Sequence, residues 1–351
     1  MFNAKIVLTC APRLAPYLQD EIENLGYDAK ITGNQSVETT GNFNDCLTFN
    51  LHLSTANRVL FHLKSFKAAG PDELYAALKK LAWHRYIPHN GYIHVNGFVK
   101  NDQIRDTRFA YMRAKDAIVD KIFSEKNQRP DAGPLADKTV IFLHWINHNA
   151  SIYIDTSGET IAKHGYRKIP YKAPMMESLA AATLMATRWN KDQHLVNPMC
   201  GSGTIAIEAA LMATNTPPGF FRHNFGFMHT KLFDRNEWMQ IKEAAKERLK
   251  RKIDFKIIAN DIDPKALEAA RHNAKAAGVD HLIEFQQGDF SEVNLPENEK
   301  GIIFFNPEYG QRLGEEERLK PLYKNIGDFM KKSAHGYMGY VFTGNLQLAK
   351  K

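Results

Sequence analysis

The amino-acid sequence predicts an α/β protein in which a doubly wound, mostly parallel sheet follows two smaller α+β segments. From about Gly165 onward, short apolar runs alternate with amphipathic helical stretches, which is the pattern of crossover units in a parallel sheet. Before that point strands, helices and a hairpin follow one another. A chain of 351 residues also exceeds one ordinary hydrophobic core. We therefore predict three domains, over residues 1–50, 51–160 and 161–351.

The first two segments contain elements with clear local signals. "AKIVLTC" is typical of a strand, and the next stretch is an amphipathic helix that Gly26 ends. Pro71 lies near the start of a second helix. Three further elements follow in order: the strand "GYIHVNGFV", the helix "DTRFAYMRAKDAIVDKIFSEK" and, because apolar and polar residues alternate, the hairpin "TVIFLHWINHNASIYIDTSG".

The third segment begins with the helix "MMESLAAATLMATRW" and then alternates regularly. The predicted strands are "HLVNP", "KIIAND", "IEFQQGD", "GIIFFNP" and "YMGYVFTG". The predicted helices between them include "GTIAIEAALMA", "RNEWMQIKEAAKERLKRK" and "PKALEAARHNAKAAG". Open parallel sheets bind ligands beyond the carboxyl ends of their strands, so those ends are where functional residues are expected.

Composition limits the classes of protein that the chain can belong to. Lys and Arg number 46 against 39 Asp and Glu, which gives a net charge of +7 and a pI near 9.1. This favours a polyanionic partner, although many basic proteins bind no nucleic acid. The three cysteines lack metal-ligand spacing, which indicates a reducing compartment and excludes a typical zinc site. Because no apolar segment suits a signal peptide or a membrane span, we expect a cytoplasmic protein.

The first strand end carries a glycine loop. In "LVNPMCGSGTIAIEAA", Gly201 and Gly203 allow the backbone to turn sharply and to approach a ligand. A ligand-free tight turn is about as common for an isolated motif of this kind. The loop therefore indicates a ligand site only in combination with the neighbouring strand ends.

The second and third strands end in acidic residues. Asp261 follows "KIIAN", where a carboxylate can accept hydrogen bonds from both hydroxyls of a ribose. Asp263 precedes Pro264 and is better explained as a helix N-cap. Asp289 is placed to accept a hydrogen bond from an adenine amino group, and the alternative is a loop aspartate that makes a local turn. A glycine loop and two such acids at successive strand ends describe a nucleoside-cofactor site.

The fourth strand ends in Asn306, Pro307, Glu308 and Tyr309. An exocyclic amine on a base is a poor nucleophile, because its lone pair is delocalised into the ring. The Asn306 side-chain oxygen and the Pro307 carbonyl can hold both N–H groups and turn the lone pair toward an electrophile, while Tyr309 provides a ring on which an extracted base stacks. A strand-end turn with a half-buried tyrosine is the alternative.

These motifs resemble a known enzyme family. "NPMCGSGT", "NDIDPKALEAARHNA" and "NPEYGQRLGE" are similar to class I S-adenosylmethionine-dependent methyltransferases that act on exocyclic amines. "DTRFAYMRAKDAIVDKIF" and "GYRKIPYKAPMMESLAAA" resemble the THUMP-domain RNA guanine-N2-methyltransferases, particularly the branch that acts on 23S ribosomal RNA. The resemblance implies a ferredoxin-like subdomain (1–50), a THUMP RNA-binding domain (51–160) and a Rossmann-like methyltransferase domain (161–351).

The resemblance also implies roles for individual residues, with S-adenosyl-L-methionine as the cofactor, RNA as the partner and no metal. In this family pattern, Asp261 binds the ribose, Asp289 binds the adenine, and Asn306 to Tyr309 hold the target guanine and act in catalysis. The segment "YKAP" covers the cofactor. The implied cofactor-binding set is Ala173, Pro174, Asn197, Pro198, Cys200, Gly201, Gly203, Thr204, Asp261, Ile262, Asp289 and Asn306.

The sequence departs from the family pattern at three places. Asn197 stands where relatives usually have an aspartate, which removes a charge near the sulfonium. Glu308 replaces the second proline of Asn-Pro-Pro-Tyr, and its carboxylate is a candidate acceptor for the ring N–H of guanine. The sequence also stops after "VFTGNLQLAKK", where relatives continue into a further strand pair, so a truncated form is expected.

Basic residues indicate where RNA binds. Arg105 and Arg108 lie at the predicted entrance of the helix "DTRFAYMRAKDAIVDKIF", where phosphate contact is one reading and a solvated mixed-charge face the other. A denser cluster in "KERLKRK" is expected on the helix inserted beside the ligand side of the sheet, or is simply the basic end of a surface helix. Its candidate RNA-binding residues are Lys246, Arg248, Lys250 and Arg251.

Three other functions compete with methylation of 23S RNA. The same chemistry on transfer RNA uses the same motifs. A DNA adenine-N6 methyltransferase shares the Asn-Pro-x-aromatic arrangement, but the THUMP-like segment argues against it. A non-catalytic RNA-binding protein with a decayed site is the third reading, for which Glu308 is the marker.

Overall fold

The computed structural model describes residues 2–296, 300–308 and 315–350. The chain forms two compact units. Unit 1 contains residues 1–162 and 222–245, and unit 2 contains residues 163–221 and 246–351. Within the described ranges, no helix is both long and apolar enough to cross a membrane.

Unit 1 is built on one eight-stranded sheet with the strand order β2-β3-β1-β4-β8-β7-β5-β6. Strand β4 pairs with β1 on one side and with β8 on the other, both antiparallel, so the first two predicted segments share a continuous sheet. The predicted hairpin is confirmed as β7 and β8. The elements are β1 (Ala4–Cys10), α1 (Ala15–Asn24), β2 (Ala29–Gly33), β3 (Ser36–Gly41), α2 (Phe43–His52), β4 (Ala56–Lys67), α3 (Pro71–Lys79), β5 (Tyr92–Lys100), α4 (Thr107–Lys126), β6 (Asp131–Ala132), β7 (Thr139–Ile146) and β8 (Asn149–Asp155).

Residues 222–245 belong to unit 1 because their aromatic side chains and glycine backbone are built into it. Phe225 and Phe227 are fully buried, and both rings pack against Trp238 at centroid distances of 5.6 and 5.2 Å. Gly226 lies so close to β8 that an added Cβ would be 2.5 Å from the Asp155 carbonyl oxygen. A side chain at this position would therefore push the segment off the sheet.

Unit 2 contains a five-stranded, fully parallel sheet with the order β11-β10-β9-β12-β13. Helix α7 begins in unit 1 and its last two residues lie in unit 2. The elements are α5 (Glu177–Ala186), β9 (His194–Asn197), α6 (Thr204–Ala213), α7 (Arg235–Glu247), β10 (Ile257–Asp261), α8 (Pro264–Ala276), β11 (Ile283–Gln287), β12 (Gly301–Phe305), α9 (Glu315–Lys332), β13 (Tyr337–Val341) and α10 (Leu346–Ala349).

Alternate residues of the central strands pack into two hydrophobic clusters, as a doubly wound sheet requires. Leu195 and Phe304 lie in the cluster formed with α5, α6 and α8, whereas Val196 and Phe305 lie in the cluster formed with α9. The predicted fold class is therefore confirmed. The strand order reverses between β9 and β12, and in folds of this kind ligands bind at such a switch point, beyond the carboxyl ends of the strands.

Candidate functional site

The loop between β9 and α6 follows the predicted strand–glycine–helix pattern. Gly201 and Gly203 both have positive φ, at 55° and 83°. An added Cβ on Gly201 would meet nothing within 4 Å, so this part of the loop is open toward a ligand. An added Cβ on Gly203 would be 2.9 Å from the Cβ of Ala270, so the second glycine is required where α8 approaches the loop.

Replacing Gly203 should destabilise the protein through both φ and a steric clash. We expect Gly203→Ala to lower the free energy of unfolding by about 2–4 kcal/mol in urea titrations. Gly278→Ala is the matched control, because Gly278 has φ of 69° with nothing within 4 Å of its added Cβ. That variant should lose only about 1–2 kcal/mol. Equal losses for the two variants would show that the contact with Ala270 is not tight.

Asp261 is fixed at the end of β10 by two backbone hydrogen bonds. Its Oδ2 accepts from the Gly201 N–H at 2.8 Å, and its Oδ1 accepts from the Asp263 N–H at 3.0 Å. The carboxylate is thus oriented by the glycine loop itself. Each carboxylate oxygen has a second lone pair, so the group still has the capacity to accept from two hydroxyl groups of a ligand.

Two buried asparagines connect the loops around this carboxylate, and the sequence analysis assigned no role to either. Asn260 donates from Nδ2 to the Pro198 carbonyl at 3.0 Å and to the Gly288 carbonyl at 3.1 Å, so it ties the ends of β9 and β11 to β10. Asn273 on α8 donates to the Ile169 and Ser202 carbonyls, at 2.9 and 3.2 Å. Its Oδ1 accepts from the backbone N–H groups of residues 168 and 169, at 2.8 and 3.0 Å.

Because the Asn273 side chain is fully buried and makes four hydrogen bonds, its removal should be severe. We expect Asn273→Ala to lower the free energy of unfolding by about 2–4 kcal/mol, since backbone groups of two loops lose their partners. His272→Ala, an exposed neighbour on the same helix, should change it by less than about 0.5 kcal/mol. Urea titration measures both, and a loss below about 1 kcal/mol for Asn273→Ala would mean that water replaces these bonds.

The "YKAP" segment lies against the start of α8. The Tyr171 hydroxyl donates to Asp263 Oδ2, and the Lys172 Nζ lies 3.7 Å from the same oxygen. Lys172 and Ala173 have positive φ, at 23° and 39°, a strained conformation for residues with side chains. The Tyr171 hydroxyl, the Lys265 backbone N–H and the Lys172 ammonium hold the pKa of Asp263 below its usual range. The prediction that Asp263 is an N-cap is confirmed, since its Oδ1 accepts from the Lys265 N–H at 2.9 Å.

Asn197 lies at the carboxyl end of β9 and is buried, with 1% of its surface exposed. Its Nδ2 donates to the Phe304 carbonyl at 2.8 Å, a bond that an aspartate cannot make. Among the described residues, its Oδ1 has no hydrogen-bond partner, and neither has the buried Ser202 Oγ. Buried polar atoms without partners are rare, so these two atoms fit a ligand that offers hydrogen bonds at this edge.

The other predicted cofactor residues lie in the same region of unit 2. Cys200 is buried, and burial together with the Asp261 charge raises the pKa of its thiol. Thr204 begins α6, and its hydroxyl accepts from Arg167 Nη2 at 3.0 Å. Ile262 is 67% exposed directly after Asp261, which leaves an apolar side chain uncovered next to the candidate ribose site. Pro174 is partly exposed.

Asp289 makes the local turn that the alternative reading anticipated, while one oxygen remains available. Its Oδ1 accepts from the Ser291 N–H at 2.9 Å and from the Ser291 hydroxyl at 2.5 Å. This cap starts the short 3-10 helix Phe290–Glu292. The bonds orient the carboxylate at the end of β11, and its role toward adenine stays a prediction.

The end of β12 places Asn306 and Pro307 at the same sheet edge as the glycine loop, because β12 lies directly beside β9. Pro307 is buried. The Phe342 N–H donates to the Phe305 carbonyl at 2.9 Å, which ties this strand end to the loop after β13. Tyr309 lies outside the described residues.

Glu308 carries an ion pair that the sequence did not indicate. Its Oε2 accepts from Arg318 Nη2 at 2.8 Å, and both side chains are exposed. Its backbone carbonyl accepts from the Tyr323 hydroxyl at 3.2 Å. The backbone here is therefore anchored to α9, whereas the exposed carboxylate forms a surface ion pair, and its role toward the target base stays a prediction.

The predicted RNA-binding residues lie in two places. Arg108 is at the start of α4, where its Nε donates to Asp106 Oδ2 at 2.9 Å and Asp106 caps the helix. Arg105 precedes that cap and is exposed. The RNA contacts of all six residues stay predictions.

The expectation that the basic cluster continues α7 beside the ligand side of the sheet is wrong. Helix α7 ends at Glu247, and the backbone N–H of Lys250 instead donates to the Thr214 carbonyl at 2.9 Å. Thr214 lies at the C-terminal end of α6, whose N-terminal end adjoins the glycine loop. Lys246 is still in the helix, whereas Arg248, Lys250 and Arg251 follow it and precede β10 at the opposite edge of the sheet.

In the part of the chain that the structure describes, no group of three or more His, Cys, Asp or Glu residues is arranged to hold a metal ion. The residues at the switch point instead combine fixed backbone, carboxylates and amide groups. Such a site can bind a nucleoside by its hydroxyls and ring nitrogens and can hold a second planar group beside it.

Comparison with protein-family models identifies three matching regions. Residues 164–351 match the family UPF0020, described as the RMKL-like methyltransferase domain. Residues 5–60 match the RlmL ferredoxin-like domain, and residues 68–155 match the THUMP domain.

Individual proteins are similar over nearly the whole chain. The ribosomal RNA large subunit methyltransferase K/L of Syntrophotalea carbinolica is 33% identical over 99% of this chain and 50% of the relative. The chain thus spans about half the length of the curated relatives it matches. The structure of SMU.472, solved in complex with SAH, superposes with a TM-score of 0.90 at 26% identity, covering 100% of this chain and 92% of that one. The structure of a predicted N6-adenine-specific DNA methylase from Listeria monocytogenes str. 4b F2365 superposes with a TM-score of 0.90 at 31% identity. The match covers 100% of this chain and 91% of that one.

Proposed function

Because the chain belongs to the UPF0020 family of RMKL-like methyltransferases, we propose that it methylates the exocyclic N2 amine of a guanosine in 23S ribosomal RNA. The cofactor of the family is S-adenosyl-L-methionine. The observation that carries the proposal is the pair of strands at the switch point. Strand β9 leads into the glycine loop, whose Gly201 N–H donates to Asp261, and its neighbour β12 ends in Asn306 and Pro307.

The two sides of the switch point have separate tasks in this proposal. On the β9 and β10 side, Asp261 accepts from the ribose hydroxyls, and the open backbone at Gly201 allows close approach. Asp289 accepts from the adenine amine. The partnerless Asn197 Oδ1 accepts from a donor at the methionine end. When bound, S-adenosylmethionine supplies an electrophilic methyl group on a sulfonium.

On the β12 side, Asn306 and Pro307 orient the target amine. The Asn306 side-chain oxygen and the Pro307 carbonyl each accept a hydrogen bond from one N–H group of the amine. This directs the nitrogen lone pair toward the methyl carbon. With the cofactor bound, its carbon–sulfur bond would break as the nitrogen–carbon bond forms, and one N–H proton of the amine would then leave to solvent. Because Arg318 holds Glu308, we assign Glu308 to fixing this turn rather than to the chemistry.

The proposal rests on RNA as the substrate, for which the THUMP-matching residues 68–155 and the rRNA methyltransferase relatives are the support. The test is incubation with methyl-labelled S-adenosylmethionine and unmodified 23S RNA, followed by nucleoside digestion. We expect the label in N2-methylguanosine. Transfer RNA and duplex DNA assayed in parallel separate the alternatives, and label in N6-methyladenine from DNA would replace the proposal with the second candidate. No label in any substrate would reject the catalytic assignment.

A further inference from the structure

One face of the unit 1 sheet carries a cluster of aromatic side chains that the proposed chemistry does not use. Strands β5, β7, β8 and β4 are neighbours, and their registers align three rows of residues on one face. We call these residues the aromatic face. Its rows are Lys100, Ile146, Asn149 and Lys67; Phe98, His144, Ser151 and Ser65; and Asn96, Phe142, Tyr153 and His62.

The aromatic face is distinct from the core face of the same strands. The alternate residues of β7, namely Ile141, Leu143 and Trp145, are fully buried on the other face. Phe98, in contrast, is 51% exposed. At Phe98, β5 is the edge strand, because β6 pairs only with Tyr92 and Ile93. A large exposed aromatic ring on a sheet face loses the burial that normally stabilises such a residue, and it indicates a binding surface when it belongs to a cluster.

The rings of the aromatic face are arranged as flat and edge-on partners. Phe98 stacks on His144 with an interplanar angle of 22° and a centroid distance of 5.9 Å. Tyr153 meets His62 and Phe142 edge-on, at 5.2 and 6.4 Å. Burial lowers the pKa of His144, so its ring is neutral near pH 7 and presents an ordinary aromatic surface.

The backbone fixes the position of Phe98. The preceding residue, Gly97, has φ of 155°, and an added Cβ would lie 1.9 Å from the Leu143 carbonyl oxygen. Strand β5 therefore approaches β7 more closely than any residue with a side chain would allow. This approach brings Phe98 beside His144 in a fixed orientation, so the pair is organised before anything binds.

The polar groups of the aromatic face are complementary to a polyanion. The twelve residues include two lysines and no carboxylate. Lys67 and Lys100 lie in the row beside Phe98, and Lys67 Nζ is held by Asn149 Oδ1 at 2.6 Å. The Ser65 hydroxyl forms hydrogen bonds with His62 Nε2 and with the Ser151 hydroxyl, both at 2.8 Å. Hydroxyl groups beside flat rings and flanking cations suit a nucleic-acid strand.

We propose that the aromatic face binds single-stranded RNA, with a base stacked on the Phe98–His144 pair and phosphates beside Lys67 and Lys100. Open sheets with exposed aromatic rings bind unpaired bases in this manner, whereas a duplex keeps its bases inside. The inference rests on the proposed function only in naming RNA, and the contact requires neither cofactor nor catalysis. It locates a second point of substrate contact in unit 1.

The test is fluorescence anisotropy with the full chain, without cofactor, and a labelled twelve-nucleotide single-stranded RNA. We expect Phe98→Ala to weaken binding about five- to hundredfold, and Phe98→Tyr to retain it within about threefold. Phe123→Ala is the matched control, because Phe123 is 50% exposed on α4 and lies outside the aromatic face. It should bind within twofold of the unchanged protein. Lys67→Gln and Lys100→Gln should each reduce the slope of log Kd against log salt by about one.

Each result decides the inference independently of the methyltransferase assay. Unchanged binding by Phe98→Ala, or equal binding of an A-form duplex, would overturn it even if methyl transfer is observed. Loss of binding in Phe98→Ala alone supports it even if no methyl is transferred. If the RNA does not bind and sedimentation shows a dimer that Phe98→Ala disrupts, the occupant is a second copy of the chain and the RNA assignment fails. Melting temperatures of all variants establish that they are folded.

Discussion

Asn306→Ala is expected to reduce the rate constant of methyl transfer by about 10²- to 10³-fold while leaving cofactor affinity nearly unchanged. Asn306 lies on the β12 side of the switch point. In the proposed mechanism its side-chain oxygen accepts a hydrogen bond from one of the two N–H groups of the target amine. Without it the lone pair is no longer directed at the methyl carbon. Single-turnover kinetics with saturating RNA measures the rate, and isothermal titration calorimetry measures cofactor binding.

Two further variants make the Asn306 prediction specific. Asn306→Asp retains an oxygen acceptor at the same distance from the backbone, so it should lose less activity than the alanine variant. Asn190→Ala removes an exposed asparagine just before β9, at the opposite edge of the sheet, and should retain full activity. A loss smaller than about fivefold in Asn306→Ala would remove this residue from the mechanism.

Asp261→Ala is expected to raise the dissociation constant for S-adenosylmethionine about 10- to 150-fold. Hydrogen bonds to charged groups contribute about 1.5–3 kcal/mol, and this carboxylate is the proposed ribose acceptor. The variant also removes the acceptor of the Gly201 and Asp263 N–H groups, so the free energy of unfolding should fall by about 1–3 kcal/mol. Calorimetry and urea titration separate the two effects.

The control for Asp261 is Asp280→Ala. Asp280 is an exposed carboxylate in the short 3-10 helix before β11, at the sheet edge opposite the candidate site. It should bind the cofactor within twofold of the unchanged protein. If both aspartate variants bind the cofactor normally, the ribose is held elsewhere and the assignment of the strand ends has to be revised.

The fold of unit 2 was predictable because its signals are local. Buried strands of four or five residues, a proline at the first turn of α8 and an aspartate before it are visible in the sequence, and each is confirmed. The family resemblance and its cofactor are confirmed as well. The gathering of Gly201, Asp261, Asp289 and Asn306 at one edge follows directly from the parallel strand order.

The parts that were missed depend on contacts between distant residues. Asn273 looks like any polar residue of an amphipathic helix, yet its partners are backbone groups of two loops far away in the sequence. The basic stretch after α7 keeps a helical pattern, but the helix ends at Glu247 and the Lys250 N–H donates to the Thr214 carbonyl. Strand β4 pairs with both β1 and β8 and so joins the first two predicted segments in one sheet. Each segment has its own apolar pattern, and neither pattern indicates this pairing.

The path of the chain through the two units has a consequence for synthesis on the ribosome. Residues 222–245 complete unit 1, and they emerge only after residues 163–221, which belong to unit 2. A nascent chain of 162 residues therefore lacks Phe225, Phe227 and Trp238, so the aromatic cluster that these rings form in unit 1 is absent at that stage. Neither unit therefore corresponds to one uninterrupted stretch of the chain. Unit 1 cannot be completed until residues 163–221 of unit 2 have been synthesised.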